Sequence, residues 1–401
     1  MREPRPITRV EISEKNKRLR LIAAIALLVI GAIGITVGIT SLLNQETGWQ
    51  RVQMTTQERS CVENFVLQYN FAGSGAQATA VKQKLQTTYG QATVKAYQLF
   101  TPDEAFDGVK NVHYINRHPN EEIVVDPVLY DAFAKLADTR YLYMGPVYAH
   151  YSQLIYNASE EYAPTLDPAL SADAAAFVLS TAHYAANPEM INLELLGENK
   201  IILHVSQEYL SYAEHEEIGE NFIDFAYMTN AFVIDFLADA LTEQGLTEAC
   251  LTSNDGFTRN LYGAEPFNFN IFDLEGRNLY LAGTMQYQGP ISIAYLKNYP
   301  TAPSDSNYRA IDDHFVHLLV DPADGMYRTA TENLVSYSYD TGCVDVMLKM
   351  LPGFVGSEFS LPQGVFSVWC EENRVCCNDP LVSLTNMLNN EEITYEAVLK
   401  N

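Results

Sequence analysis

The run LIAAIALLVIGAIGITVGITSLL, from Leu21 to Leu43, holds 23 residues without a charge. A helix of that length crosses the roughly 30 Å hydrocarbon core of a bilayer, so the run constrains the chain more than any other stretch. The preceding EKNKRLR supplies Lys15, Lys17, Arg18 and Arg20. Positive flanks stay on the cytoplasmic side, which places the rest of the chain outside the cell. A cleaved signal peptide is the competing reading, but its apolar core would be shorter and end at small residues. No A-x-A pattern closes the run, which ends ITSLL, and no cysteine follows it closely enough for lipidation. The expectation is a single-pass cell-membrane protein: a cytoplasmic basic tail over 1–20, a transmembrane helix over 21–43, a polar linker over 44–60 and an extracytoplasmic domain.

The residues after 43 carry 18 Lys and Arg against 47 Asp and Glu. Phosphate binding needs clustered cations, so the balance excludes a nucleic-acid partner. An anionic membrane face would also repel this domain. With 401 residues, 47% of them hydrophobic, the chain can bury a large core. Six cysteines lie beyond the apolar run, at 61, 250, 343, 370, 376 and 377. An exterior location permits disulfides, but a core of this size does not require them. The cluster CEENRVCC has no second Cys/His group to complete a metal site, which leaves a disulfide or buried thiols.

Periodicity predicts an α+β fold with a mostly antiparallel sheet. CVENFVLQYNFAG reads as a strand, and AQATAVKQKLQTTYG as a helix closing at Gly90. EEIVVDPVLYDAFAKLAD holds a short strand and then a helix opened by Asp126 and Pro127, with apolar positions at Val128, Phe133 and Leu136. DPALSADAAAFVLSTAHYAANP is a helix between a Ser171 cap and a Pro188 stop. NKIILHV is a strand, YAEHEEIGEN an acidic loop, and FIDFAYMTNAFVIDFLADALTEQG a long helix capped by Gly245. LTEACLTSN returns as a strand, residues 267–296 form a meander, LVSYSY is a strand and CVDVMLKML a helix.

Isolated catalytic signatures are weak. DTG at Asp340 has no second copy, as an aspartic-protease dyad would need. His215 among Glu214, Glu216 and Glu217 reads as a solvated acidic loop. Asn157 opens a glycosylation sequon that matters only in a cell that glycosylates. No nucleophile elbow, P-loop or H-E-x-x-H occurs.

Four longer segments, taken in order, carry a resemblance. They are NVHYINRHPNEEIVVDPVLYDAFAKLADTRYLYMGPVYAHYSQLI, FIDFAYMTNAFVIDFLADALTEQGLTEACLTSNDGF, HFVHLLVDPADGMYR and SYSYDTGCVDVMLKML. Together they resemble the ApbE family, the FAD:protein FMN transferases, with Ile115, Asn116, Gly145 and Pro146 in the places of that family's first block. The resemblance implies a T-fold-type domain over 61–360 and leaves 361–401 as a C-terminal extension of unknown role. It also implies FAD or FMN as cofactor and Mg²⁺ bridging the pyrophosphate, so that a threonine of an acceptor protein attacks phosphorus and displaces AMP. Carried over residue by residue, the cofactor-binding positions are Asn116, Asp224, Thr229, Asn230, Asp255, His317 and Asp321. The metal positions are Asp345 and the carbonyl of Thr229, and Asp235 matches a further family aspartate.

The departures bear on activity. The family's A-K-G-Y reads Thr229, Asn230, Ala231 and Phe232, without the lysine or the glycine that lets backbone approach phosphate. Asn254, Asp255 and Gly256 put a carboxylate in the G-G-D/N turn. Lys349 stands where the family has a threonine ligand, and an ammonium cannot coordinate Mg²⁺; it could pair with Asp345 or hold a phosphate. His317 falls one residue early, which on a strand turns it to the other face. His314 and Asp312 read as loop residues. The expectation is a membrane-anchored ApbE-like protein that binds a flavin or a partner with degenerate metal and phosphate motifs. An active Mg²⁺-dependent FMN transferase and a non-catalytic sensory or scaffolding ectodomain are the alternatives.

Overall fold

The computed structural model describes residues 47–400 apart from 74, 137, 277, 303 and 304. The expected membrane helix at 21–43 and the tail before it lie outside the described residues. Among the described residues no helix is long and apolar enough to cross a membrane. The chain divides into two compact units, residues 1–49 with 71–84 and residues 50–70 with 85–401. Of the smaller unit, the described part includes the opening of helix α1 (Gly75–Phe100), which follows Gly73 at φ +95°.

Eight strands of the larger unit's main sheet lie side by side in chain order: β1 (Phe65–Phe71), β2 (Ala249–Ser253), β3 (Phe257–Asn260), β4 (Ile291–Lys297), β5 (Asn333–Ser338), β6 (Phe366–Glu371), β7 (Arg374–Cys377) and β8 (Glu396–Leu399). Neighbours from β1 to β7 pair antiparallel, and β7 pairs with β8 in parallel. Every residue of β4 and β5 is buried, because the sheet is covered on both faces here. Helices α5 (Thr229–Glu243) and α6 (Cys343–Phe354) cover one face. A smaller antiparallel sheet of Pro266–Glu275, Asn278–Gln288 and Ser383–Thr385 covers the other. There Ile271, Ala282, Met285 and Tyr287 meet Ile293, Tyr295, Val335, Tyr337 and Val368. Full burial of each Ile, Val or Met of this set contributes about 1.5–3 kcal/mol.

The meander expected over 267–296 therefore splits between two sheets. Its first two strands form the cover, and its third, β4, joins the main sheet. Helix α2 (Pro127–Leu136) opens with Asp126 accepting from the Val128 N–H, and buries Leu129, Ala132, Phe133 and Leu136; Val128 itself is only half-buried. Helix α3 (Gly145–Ser152) starts at the Gly145-Pro146 pair, and α4 (Ala172–Ala186) is capped by Ser171 and ends before Pro188 as expected.

Five expectations are corrected. Gly90 does not end α1, which runs on to Phe100; it lies inside the helix, where an added Cβ would meet Met54 Cε at 2.2 Å. The acidic loop is helical up to His215, because Ser206 caps a helix over Gln207–His215. The long helix begins at Thr229 rather than Phe222, with 222–225 irregular and a short 3₁₀ turn at Ala226–Met228. The boundary at 360 separates nothing, since 361–401 supplies β6, β7, β8 and a strand of the small sheet. Part of the expected linker, Gly48–Arg51, is a strand. The six cysteines are free thiols, five of them buried.

Candidate functional site

Asn116 is fully buried and acts as a splint. Its amide donates to the Ile223 carbonyl and its oxygen accepts from the Ile223 N–H, both at 2.9 Å. Gly145 lets the same segment pass close by, since a Cβ there would meet the Asn221 carbonyl oxygen at 2.1 Å. The Asp224 N–H then bonds the Leu142 carbonyl at 2.9 Å. These contacts hold the irregular stretch before α5 and aim Asp224 into a cavity of about 430 Å³.

The cavity gathers Asp224, Thr229, Asn230, Asp255 and His317 from segments far apart in the chain. Tyr156, Tyr227, Tyr295 and Tyr308 supply its aromatic wall, with Asn64, Asp103, Asn307 and Lys297 also lining it. Asp255 sits on the β2–β3 turn. That turn needs Gly256, which has φ +114° and would place a Cβ 2.3 Å from the Tyr295 carbonyl oxygen. The Asp255 carboxylate accepts from Ser253 Oγ at 2.5 Å and from Asn230 Nδ2 at 2.9 Å. Asn230 is in the first turn of α5, so the protein places its own anion beside that helix terminus.

Burial raises both carboxylates. Asp224 is pushed up to about 7, against the pull of the Ala226 N–H and helped by Asp103. Asp255 is raised by burial despite its bonds to Ser253 and Asn230. Lys297 is the one lysine or arginine among the described lining residues. Its ammonium is buried against Asp305 Oδ2 at 3.3 Å and beneath Tyr308, whose hydroxyl lies 3.4 Å away.

His317 overturns its expected orientation. It is buried and lines the cavity, because the chain leaves the short His314–Val316 strand just before it, so strand alternation no longer sets its direction. Its Nδ1 accepts from the Leu319 N–H at 3.2 Å, so the neutral ring carries its proton on Nε2. Burial, with His314 nearby, lowers it to about 3. His314 is likewise not a loop residue. It is on that strand, bonds the buried Asp167 carboxylate at 2.8 Å and stacks on Tyr327.

Asp321 does not line the cavity; it closes its turn by accepting from the Ala323 N–H at 2.9 Å and from Arg328 Nε at 3.2 Å. Asp235 braces backbone as well. Its two oxygens accept from the Cys343 and Val344 N–H groups at 2.9 and 3.0 Å and so cap α6. Gly342 makes room, since a Cβ there would meet Asp235 Oδ2 at 2.2 Å. Asp345 lies in the first turn of α6, outside the cavity lining, and receives Lys135 Nζ at 2.5 Å. Lys349 donates to the Gly364 carbonyl at 3.2 Å rather than pairing with Asp345. Among the described residues no group of three or more His, Cys, Asp or Glu is arranged to hold a metal. A carboxylate already neutralised by an ammonium is a poor ligand for a hard cation, so this donor set does not fit Mg²⁺.

Sequence reasoning missed the four tyrosines and Lys297. The tyrosines come from four separate segments and share no local pattern. Lys297 did leave a signal: a lysine ending the apolar run ISIAYLK is costly unless paired.

This mixed α/β architecture, with its large antiparallel sheet, is an ApbE-like fold. Among solved structures, the ApbE protein of Thermotoga maritima superposes with a TM-score of 0.53 at 11% identity, covering 85% of this chain and 97% of that one. The flavin transferase ApbE of Vibrio cholerae, solved as a point mutant, gives 0.50 at 12% identity, covering 85% and 98%. No family model matches the sequence, and no curated relative does.

Proposed function

We propose that the protein is a membrane-anchored, extracytoplasmic flavin-binding protein in which FMN transfer is lost or strongly weakened. The observation that carries the reading is the convergence of Asp224, Thr229, Asn230, Asp255 and His317 on one cavity walled by tyrosines. Its volume is within the range of small-molecule sites, and aromatic walls suit a planar ring system. The similarity of the fold to a solved flavin transferase supports flavin as the ligand class. The loss of transfer is argued from Asp345, tied to Lys135, and from Lys349, tied to backbone. Anchoring rests on the uncharged run at Leu21–Leu43 and its basic flank.

The deciding assay incubates the full chain with FAD, Mg²⁺ and a threonine-containing acceptor protein. The expected outcome is flavin bound by the chain without AMP release or acceptor labelling. Stoichiometric AMP release with a flavin-labelled acceptor would establish the active transferase instead.

A further inference from the structure

We infer that the cavity selects an uncharged flavin, of the riboflavin class, over the phosphorylated flavins FMN and FAD. This rests on the flavin reading above and adds to it the charge of the ligand. Asp103, Asp224 and Asp255 line the cavity, with burial favouring the neutral form of the last two so that Asp224, held near 7, is only partly ionised at neutral pH, and the one lysine among the described lining residues is already matched by Asp305. His317, with Nδ1 taken by the Leu319 N–H and its ring buried, supplies no positive charge at neutral pH. A phosphate finds no free cation among the described lining residues.

The first turn of α5 does not compensate. Asn230 gives its amide to the Asp255 carboxylate, and Ser253 Oγ donates to the same group. The protein's own anion takes up donors that a phosphate would use. A 5′-phosphate drawn into the cavity shares it with these carboxylates, and like charges repel within a screening length of about 8 Å at physiological salt. Like charges brought together in a partly dehydrated site disfavour binding strongly, so discrimination of roughly tenfold or more is expected. The ring and ribityl hydroxyls, by contrast, meet groups that suit them: tyrosine faces, the Asn64 and Asn307 amides and carboxylate acceptors.

Fluorescence titration of the full chain with riboflavin, FMN and FAD at constant ionic strength tests this. Riboflavin should bind at least about tenfold more tightly than FMN or FAD, and Asp255→Asn should narrow that ratio. Asp103→Asn, at an exposed position, should narrow it in part even if the Asp255 variant fails to fold. FMN or FAD binding as tightly as riboflavin, or a ratio unmoved by Asp103→Asn, would overturn the charge selection and leave the flavin reading standing. Binding of none of the three would overturn the flavin reading itself.

Discussion

Asp224 is the residue whose chemistry departs most usefully from its ordinary behaviour. Its folded pKa of about 7 lies above the unfolded value near 3.8. The folded state therefore binds the proton more tightly, and this group's contribution to stability is greatest below about pH 4. That contribution is lost as pH rises through 7. Asp224→Asn keeps an oxygen for the Ala226 N–H and removes the ionisation. The variant should gain on wild type between pH 4 and 8 by on the order of 2–4 kcal/mol, less whatever cavity water screens. Urea unfolding at several pH values measures the difference, and a gap that does not change with pH would contradict the burial argument. At this scale the sequence singled out five residues that line one cavity, Asp224, Thr229, Asn230, Asp255 and His317. Asn116, Asp235 and Asp321 turned out to brace backbone, a role that depends on partners more than a hundred residues away for the first two. His317 was misdirected because alternation was extended past the end of its strand.

At the scale of elements, most strands and helices were legible because their apolar periods and caps are local. The errors fall where tertiary contact overrides a local signal. Gly90 looks like a helix stop but serves a close approach to Met54, and residues 222–225 look helical but are held open by Asn116 and the Leu142 carbonyl. The β2–β3 turn carries Asp255 into the cavity. Gly256→Ala adds a Cβ 2.3 Å from the Tyr295 carbonyl oxygen at a φ that other residues rarely adopt. The expected cost is about 2–3 kcal/mol, seen as a fall of several degrees in Tm, together with weakened flavin binding as Asp255 shifts. Unchanged binding at lowered Tm would separate the turn from the site.

At the scale of the whole molecule, the C-terminal segment is the feature the resemblance left without a role. It completes the main sheet: Val335, Ser336 and Tyr337 on β5 pair with Val368, Ser367 and Phe366 on β6, and Ser336 Oγ meets Ser367 Oγ at 2.8 Å in the buried interior. A chain ending at residue 360 loses these partners and leaves β5 as an open apolar edge. It should lose its near-UV circular dichroism and aggregate, whereas a folded, monomeric truncation would contradict the account of the sheet. Nothing local in 361–401 announced this, because a strand's partner is set by long-range register that a single sequence does not print.

The central claim, that an ApbE-like fold here presents a flavin cavity, is met most directly by equilibrium titration of riboflavin into the full chain, followed by quenching of flavin fluorescence. The account predicts saturation at one flavin per chain and a marked loss of affinity in Tyr308→Ser, which removes an aromatic wall residue. A linear, non-saturating signal for riboflavin, FMN and FAD alike would contradict it.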